Sequence, residues 1–143
     1  VIPHTNGTYD LGRPNNRWNM VYATASKAVY ADLAEKYLAD MEYPVGTVMM
    51  VGGYKEVTAC TSKAKAIGVV SGHPAYLMNY ELDGGTPIAL KGRVPVKVCG
   101  SVKKGDHLGC GDNGMAVVSS EHIFGISLED FDGDIGVVEA VIL

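Results

Sequence analysis

No run of apolar residues in the chain approaches the roughly 20 that cross a membrane as a helix. No basic stretch followed by an apolar one opens it, as a secretory leader would. A cationic excess is missing too: Lys and Arg number 12 against 16 Asp and Glu, a formal net charge of −4. Such a balance offers no positive face to a phosphate backbone and argues against nucleic acid as a partner. Only Lys63/Lys65 and Lys103/Lys104 form tight basic pairs, best explained as solvated loops. The three cysteines, Cys60, Cys99 and Cys110, are an odd number without a Cys-x-x-Cys spacing. A disulfide framework needs an even set, and free Cys within β-like runs, as at Cys60 and Cys99, packs as a small hydrophobe. Synthesis in a reducing cytosol is expected. There is no internal repeat, no Gly-x-Ser-x-Gly elbow and no Gly-x-x-x-x-Gly-Lys loop. The chain opens on Val1 rather than Met, and a piece of something longer is expected.

What is present is a globular composition. Of 143 residues 47% are hydrophobic and 20% charged, enough for one real core. Residues 1–23 hold Pro3, Gly7, Gly12, Pro14 and several Asn around the only Trp, with a short strand-like piece at Trp18–Tyr22. Alone they have too little core to fold; in a trimer, Trp18, Val21 and Tyr22 can pack about a threefold axis. From Ser26, a plausible N-cap, the spacing predicts one α-helix that Pro44 ends. Ala31, Ala34, Leu38 and Met41 form one stripe; Tyr30, Leu33 and Tyr37 form a second beside it. A helix this short is marginal in water and must dock on something. The expected trimer interface is therefore Trp18, Val21, Tyr22, Tyr30, Leu33, Tyr37 and Leu38.

After Pro44 the signals are β. Strands are read at Val45–Val51, Glu56–Thr61, Ala66–Ser71, Pro87–Leu90, Val94–Cys99, Met115–Ser119, Phe124–Leu128 and Gly136–Leu143, with Gly or Pro turns between them. Short strands at this interval predict a small barrel or sandwich. The expected organisation is a stalk-like segment and helix over residues 1–43, then a β head over 44–143. The fold class is mainly β: one helix leading into a small β-barrel or β-clip-like head, trimeric.

The residues offer little to catalysis. Asp130, Asp132 and Asp134 alternate as in a calcium loop, but the EF-hand template needs Gly at its sixth position and Glu at its twelfth, which here hold Ile135 and Val141. Asp106, His107, Cys110 and Asp112 crowd one turn instead of forming two well-spaced zinc-ligand pairs. No metal and no cofactor are expected, and no enzyme. Binding is the more natural use: between strands, Tyr76 and Tyr80 can stack on a sugar while His73 and Asn79 supply hydrogen bonds.

Two stretches carry a family resemblance. Asp10-Leu11-Gly12-Arg13-Pro14-Asn15-Asn16-Arg17-Trp18-Asn19-Met20-Val21-Tyr22-Ala23 resembles the D-L-G-x-x-x-N-R-W-x-x-V-Y-A pattern where phage tail-fibre and related virion proteins pass from shaft to C-terminal domain. Gly92–Val98, Val102–Leu108 and Gly125–Glu129 look like phage head-decoration and fibre-tip β domains, with Ser127 where a small residue is usual. The resemblance implies a structural virion protein, made in the host cytoplasm, whose partners are its own copies and other virion proteins. A host-receptor or glycan-binding tip and an autoprocessing intramolecular chaperone are the alternatives. The Ser-Asp-x-Arg-x-Lys signature of the best-known self-cleaving fibre chaperones is absent.

Overall fold

A computed structural model describes residues 1–143. Ten strands follow in chain order: β1 (Asp32–Tyr37), β2 (Val48–Val51), β3 (Val57–Ala59), β4 (Ala66–Val70), β5 (Tyr76–Met78), β6 (Thr86–Cys99), β7 (His107–Cys110), β8 (Ala116–Val118), β9 (Gly125–Ser127) and β10 (Ile135–Ile142). There is no helix of any kind. The expected helix after Ser26 is thus wrong, and so is the mixed fold class built on it: the protein is all-β, with a closed five-stranded barrel.

The physical reason lies in what β1 gains as a strand. It pairs antiparallel with β6 from Asp32↔Gly92 to Tyr37↔Thr86, and parallel with β5 from Leu33↔Tyr76 to Glu35↔Met78. Both backbone edges find partners, which an isolated short helix does not match. The side chains then follow period 2: Asp32 and Ala34 are buried while Leu33 is exposed. The two imagined stripes come apart, with Ala34 fully enclosed and Met41 in solvent.

The 14-residue strand β6 organises the molecule. Its C-terminal half closes the barrel, pairing with β10 from Gly92↔Ile142 to Cys99↔Ile135, after which β9, β7 and β8 complete the ring back to β6 at Val98↔Ala116. Its N-terminal half carries a second sheet, with β1 on one edge and β4, β2 and β3 on the other. The sequence reads Pro87–Leu90 and Val94–Cys99 as two strands; they are one, because Gly92 lets the chain bend without breaking the ladder. Its φ is +106°, and a Cβ there would stand 2.3 Å from the Ala31 carbonyl oxygen, just before the neighbouring strand β1 begins. Gly is required on both counts. The strand-like piece at Trp18–Tyr22 does not pair and lies outside the sheet.

Alternation along the strands divides the core into two. A row of small and β-branched residues, Ala34, Ala89, Val69 and Val48, runs in register across β1, β6, β4 and β2, all fully buried. Val48, Val69 and Ala89 continue into the barrel interior with Val94, Val96, Val98, Leu108, Val138, Ala140 and Ile142. The opposite pleat of the same strands, Met49, Val70 and Ile88, packs with Val57 and Ala39 into a smaller cluster that Tyr37 and Tyr43 cover. The boundary expected at residues 43/44 has β1 on its N-terminal side, paired into the sheet that follows it.

Candidate assembly and contact surfaces

Residues 1–31 contain no strand. Pro and Gly at 3, 7, 12 and 14 and the neighbouring Asn residues favour turns over ladders. Arg13 and Asn16 close one such turn, with Asn16 N–H donating to the Arg13 carbonyl at 2.9 Å and Arg13 Nε donating to Asn16 Oδ1 at 2.9 Å. The Trp18 indole lies over Gly12, whose φ is +84°. An ion pair between Arg17 and Glu81 ties this arm to the segment after β5, and Leu11, Trp18, Val21 and Tyr80 line one cleft there.

The arm keeps its large apolar side chains in solvent. Trp18 is 64% exposed, Val21 70% and Tyr22 89%. Burying a side chain of this kind contributes roughly 1.5–3 kcal/mol, so a segment that leaves several exposed has unused binding capacity. Of the residues expected at a trimer interface, Trp18, Val21, Tyr22, Tyr30 and Leu33 are open to solvent. Tyr37 packs against the smaller core, and Leu38 is engaged with β3: its N–H donates to Glu56 Oε1 at 2.8 Å and its carbonyl accepts from Val57 N–H at 3.1 Å.

The four expected receptor contacts separate into two places. Tyr76 stands beside Leu33 on the outer face of the β1–β5 pair, and both are exposed. Asn79 turns the chain with φ +53°; its Nδ2 donates to the Lys36 carbonyl at 3.0 Å, while Lys36 Nζ donates to the Tyr80 carbonyl at 2.9 Å and sits 5.4 Å from the Tyr80 ring. Asn79 is therefore occupied in holding its own turn, and Tyr80 belongs with Trp18. His73 lies elsewhere, stacked on Tyr30 with ring centroids 5.2 Å apart and planes 21° from parallel. It shares a cavity with Tyr30, Asp32, Ser71, Arg93 and Glu139.

Sequence reading missed Asp32 in this role. The signal was there: one acid inside the otherwise apolar run Val29-Tyr30-Ala31-Asp32-Leu33-Ala34. Asp32 is only 6% exposed, and its Oδ2 accepts from the Ser71 hydroxyl at 2.7 Å. That bond commits Ser71 to Asp32, not to His73 as a nucleophile would need. Burial lifts the Asp32 carboxyl above its ordinary value of 3.8, partly opposed by the Ser71 hydrogen bond. The fold therefore favours the protonated acid, and this contribution is full below the ordinary value and lost as pH rises through the raised one. Asp40 runs the other way: bonds from Tyr43 and Thr58 hold its carboxyl low, so its contribution is lost only below the ordinary value. Asp32→Asn keeps an acceptor for Ser71 and cannot ionise. Its melting temperature is expected to vary less with pH between about 4 and 7 than the parent's, and to exceed it at neutral pH. A variant that melts below the parent throughout would show the charge to be stabilising.

The remaining chemical candidates are absorbed by turns. Asp130 Oδ1 accepts from Lys104 N–H at 2.8 Å and Asp132 Oδ1 from the Ser101 hydroxyl at 2.9 Å, joining the acidic hairpin to the Lys103–Asp106 turn. Asp106 Oδ2 caps Lys103 N–H at 2.9 Å, and Asp112 Oδ1 accepts from Ser62 N–H at 3.1 Å. Cys60 and Cys110 are buried side by side in the barrel core, with Cys60 Sγ 3.4 Å from the Gly111 carbonyl. Cys99, expected to be buried, is exposed. No helix is long and apolar enough to cross a membrane.

A closed five-stranded barrel shares one long strand, β6, with a second sheet, and this arrangement is similar to that of solved bacteriophage proteins. The fold matches the pre-mature bacteriophage phi29 gene product 12 with a TM-score of 0.71 and 13% identity, over 90% of this chain and 24% of that one. It matches the C-terminal fragment of the same gene product at 0.66 and 12% identity, covering 78% of this chain and 100% of the fragment. The N base of the phi29 head fibre gp8.5 follows at 0.51 and 16% identity, over 78% of this chain and 93% of that one. At these identities the likeness is one of fold, and the chain spans about a quarter of the pre-mature gene product 12. No family model matches the sequence, and neither does any curated protein.

Proposed function

We propose that this chain is a structural virion protein, the C-terminal part of a phage fibre or appendage, in which the arm holds three copies together and the β domain caps the fibre or meets other virion proteins. The observation that carries this reading is the row of exposed apolar residues at Trp18, Val21 and Tyr22 on a segment that contributes nothing to either core. The likeness to gene product 12 and the gp8.5 base supports the class. The interface takes in Trp18, Val21 and Tyr22, and Leu33 and Tyr76 on the β1–β5 pair add a second exposed apolar patch; Tyr30 is left out because it is stacked on His73. Such a protein acts in the virion after synthesis in the host cytoplasm, and works by binding rather than turnover.

A second reading, an autoprocessing chaperone domain, draws support from one fact: gene product 12 has been solved both in a pre-mature form and as a C-terminal fragment, the latter matched along its whole length by this fold. Sedimentation equilibrium of the intact chain at micromolar concentration tests the first reading. A mass three times the 15.1 kDa of one chain is expected. A monomer that keeps its β signal would exclude it, and self-cutting of a longer precursor would favour the second.

A further inference from the structure

Cys60 and Cys110 reach the core from opposite sides of β6. Cys60 follows β3 at the far end of the second sheet, and Cys110 ends β7 in the barrel. The two strands share no ladder. A clasp of hydrogen bonds nevertheless holds the two segments together. Gly114 N–H donates to the Cys60 carbonyl at 3.0 Å, Lys63 N–H to the Cys110 carbonyl at 3.1 Å, and Ser62 N–H to Asp112 Oδ1 at 3.1 Å. Cys60 Sγ lies 3.4 Å from the Gly111 carbonyl oxygen and 3.7 Å from that of Met115. Both cysteines are buried in one cluster, and their thiols are hydrogen-bonded to each other.

We infer that Cys60 and Cys110 form a dithiol that peroxide closes to a disulfide, tying the second sheet to the barrel. With both backbones held by the clasp, closing the bond asks only for side-chain rotation. The two sulfurs have unequal roles. Cys60, donating its S–H to Cys110, holds the Cys110 thiol below its ordinary value, against the opposing effect of burial. The same bond, with burial, pushes Cys60 up. Cys110 is therefore the attacking thiolate. It breaks the peroxide O–O bond and keeps one oxygen as a sulfenic acid, while hydroxide leaves and takes up the Cys110 proton as water. The Cys60 sulfur then attacks Cys110, the S–O bond breaks, and the departing hydroxide takes the Cys60 proton as a second water. Two thiols are oxidised and one peroxide is reduced. Burial favours so small an oxidant over a bulky disulfide, and access comes through the turn at 111–115, because turns and strand ends open at far lower cost than the whole fold. None of this requires three copies, so assembly and bond formation can fail separately.

The test uses the full chain carrying Cys99→Ser, which removes the exposed thiol and with it any bond between copies. After one equivalent of hydrogen peroxide, neither remaining cysteine is expected to take up iodoacetamide when the chain is unfolded. Peptide mapping should place the bond between Cys60 and Cys110, and dithiothreitol should restore both thiols. The closed loop spans β4, β5 and β6, so the oxidised chain is expected to melt about 10 °C above the reduced one. Cys60→Ala should lose that rise, and the mapping of the parent gives a reading even if this variant is unstable. Three outcomes would overturn the inference: both thiols still alkylated on unfolding, sulfinic acid in place of the disulfide, or a bond that leaves the melting temperature unchanged.

Discussion

Gly92→Ala is expected to lower the melting temperature by about 10 °C, the shift that follows from ~3 kcal/mol in a domain of this size. Two costs combine at this position. An L side chain at a φ of +106° is strained. The added Cβ would also lie 2.3 Å from the Ala31 carbonyl oxygen and 3.0 Å from Asp32 Cα, both backbone atoms at the approach to the neighbouring strand β1. That carbonyl accepts the Arg93 N–H at 3.1 Å, so moving it aside loosens the first rung of the β1–β6 ladder. Gly84 supplies the comparison: its φ is +68°, and a methyl group added there would meet nothing within 4 Å. Gly84→Ala should cost only the backbone preference, about 1 kcal/mol. Equal melting temperatures for the two variants would mean that the approach to β1 does not press on β6 at Gly92.

Much of the β architecture is legible in the sequence, and the reasons are local. Val48–Val51, Ala66–Val70 and Ile135–Ile142 are rich in β-branched residues and lie within the strands their composition predicts, while Val94–Cys99 forms the end of the longer β6. The failure at β1 is equally physical. Ala28, Ala31, Ala34 and Ala39 look helical because Ala is the best helix former. Ala34 is instead small because it faces Ala89 in a fully buried row, a tertiary demand that a period count does not register. Strand β5 escapes notice because Tyr76–Met78 lies in the stretch read as a binding loop, and β7 because it contains Gly109, where a Cβ would fall 2.7 Å from Ser119 Cβ. The contact residues are half legible. Tyr76 and Tyr80 are exposed as a binding loop requires, but the Asn79 amide is already bonded to the Lys36 carbonyl. The cavity holding His73 draws Asp32, Arg93 and Glu139 from three distant strands, and only the closed ladder brings them together.

The second large effect concerns the arm. Its residues enter neither core cluster, and it is attached to the sheet by few links: the Arg17–Glu81 pair, the Trp18 cleft and the Tyr30–His73 stack. Exposed ion pairs of this kind stabilise by less than about 1 kcal/mol. Removing residues 1–25 deletes Trp18, Val21 and Tyr22 while leaving Tyr30 and every strand in place. If the arm joins the copies, the shortened chain loses the apolar surface that holds them and keeps its own core, so association and folding separate cleanly. The decisive measurement is sedimentation equilibrium of the intact chain and of residues 26–143 side by side, with circular dichroism on both. The account predicts a trimer for the intact chain and a monomer with unchanged β signal for the shortened one. An intact chain that is monomeric, or a shortened chain that remains trimeric, would contradict it.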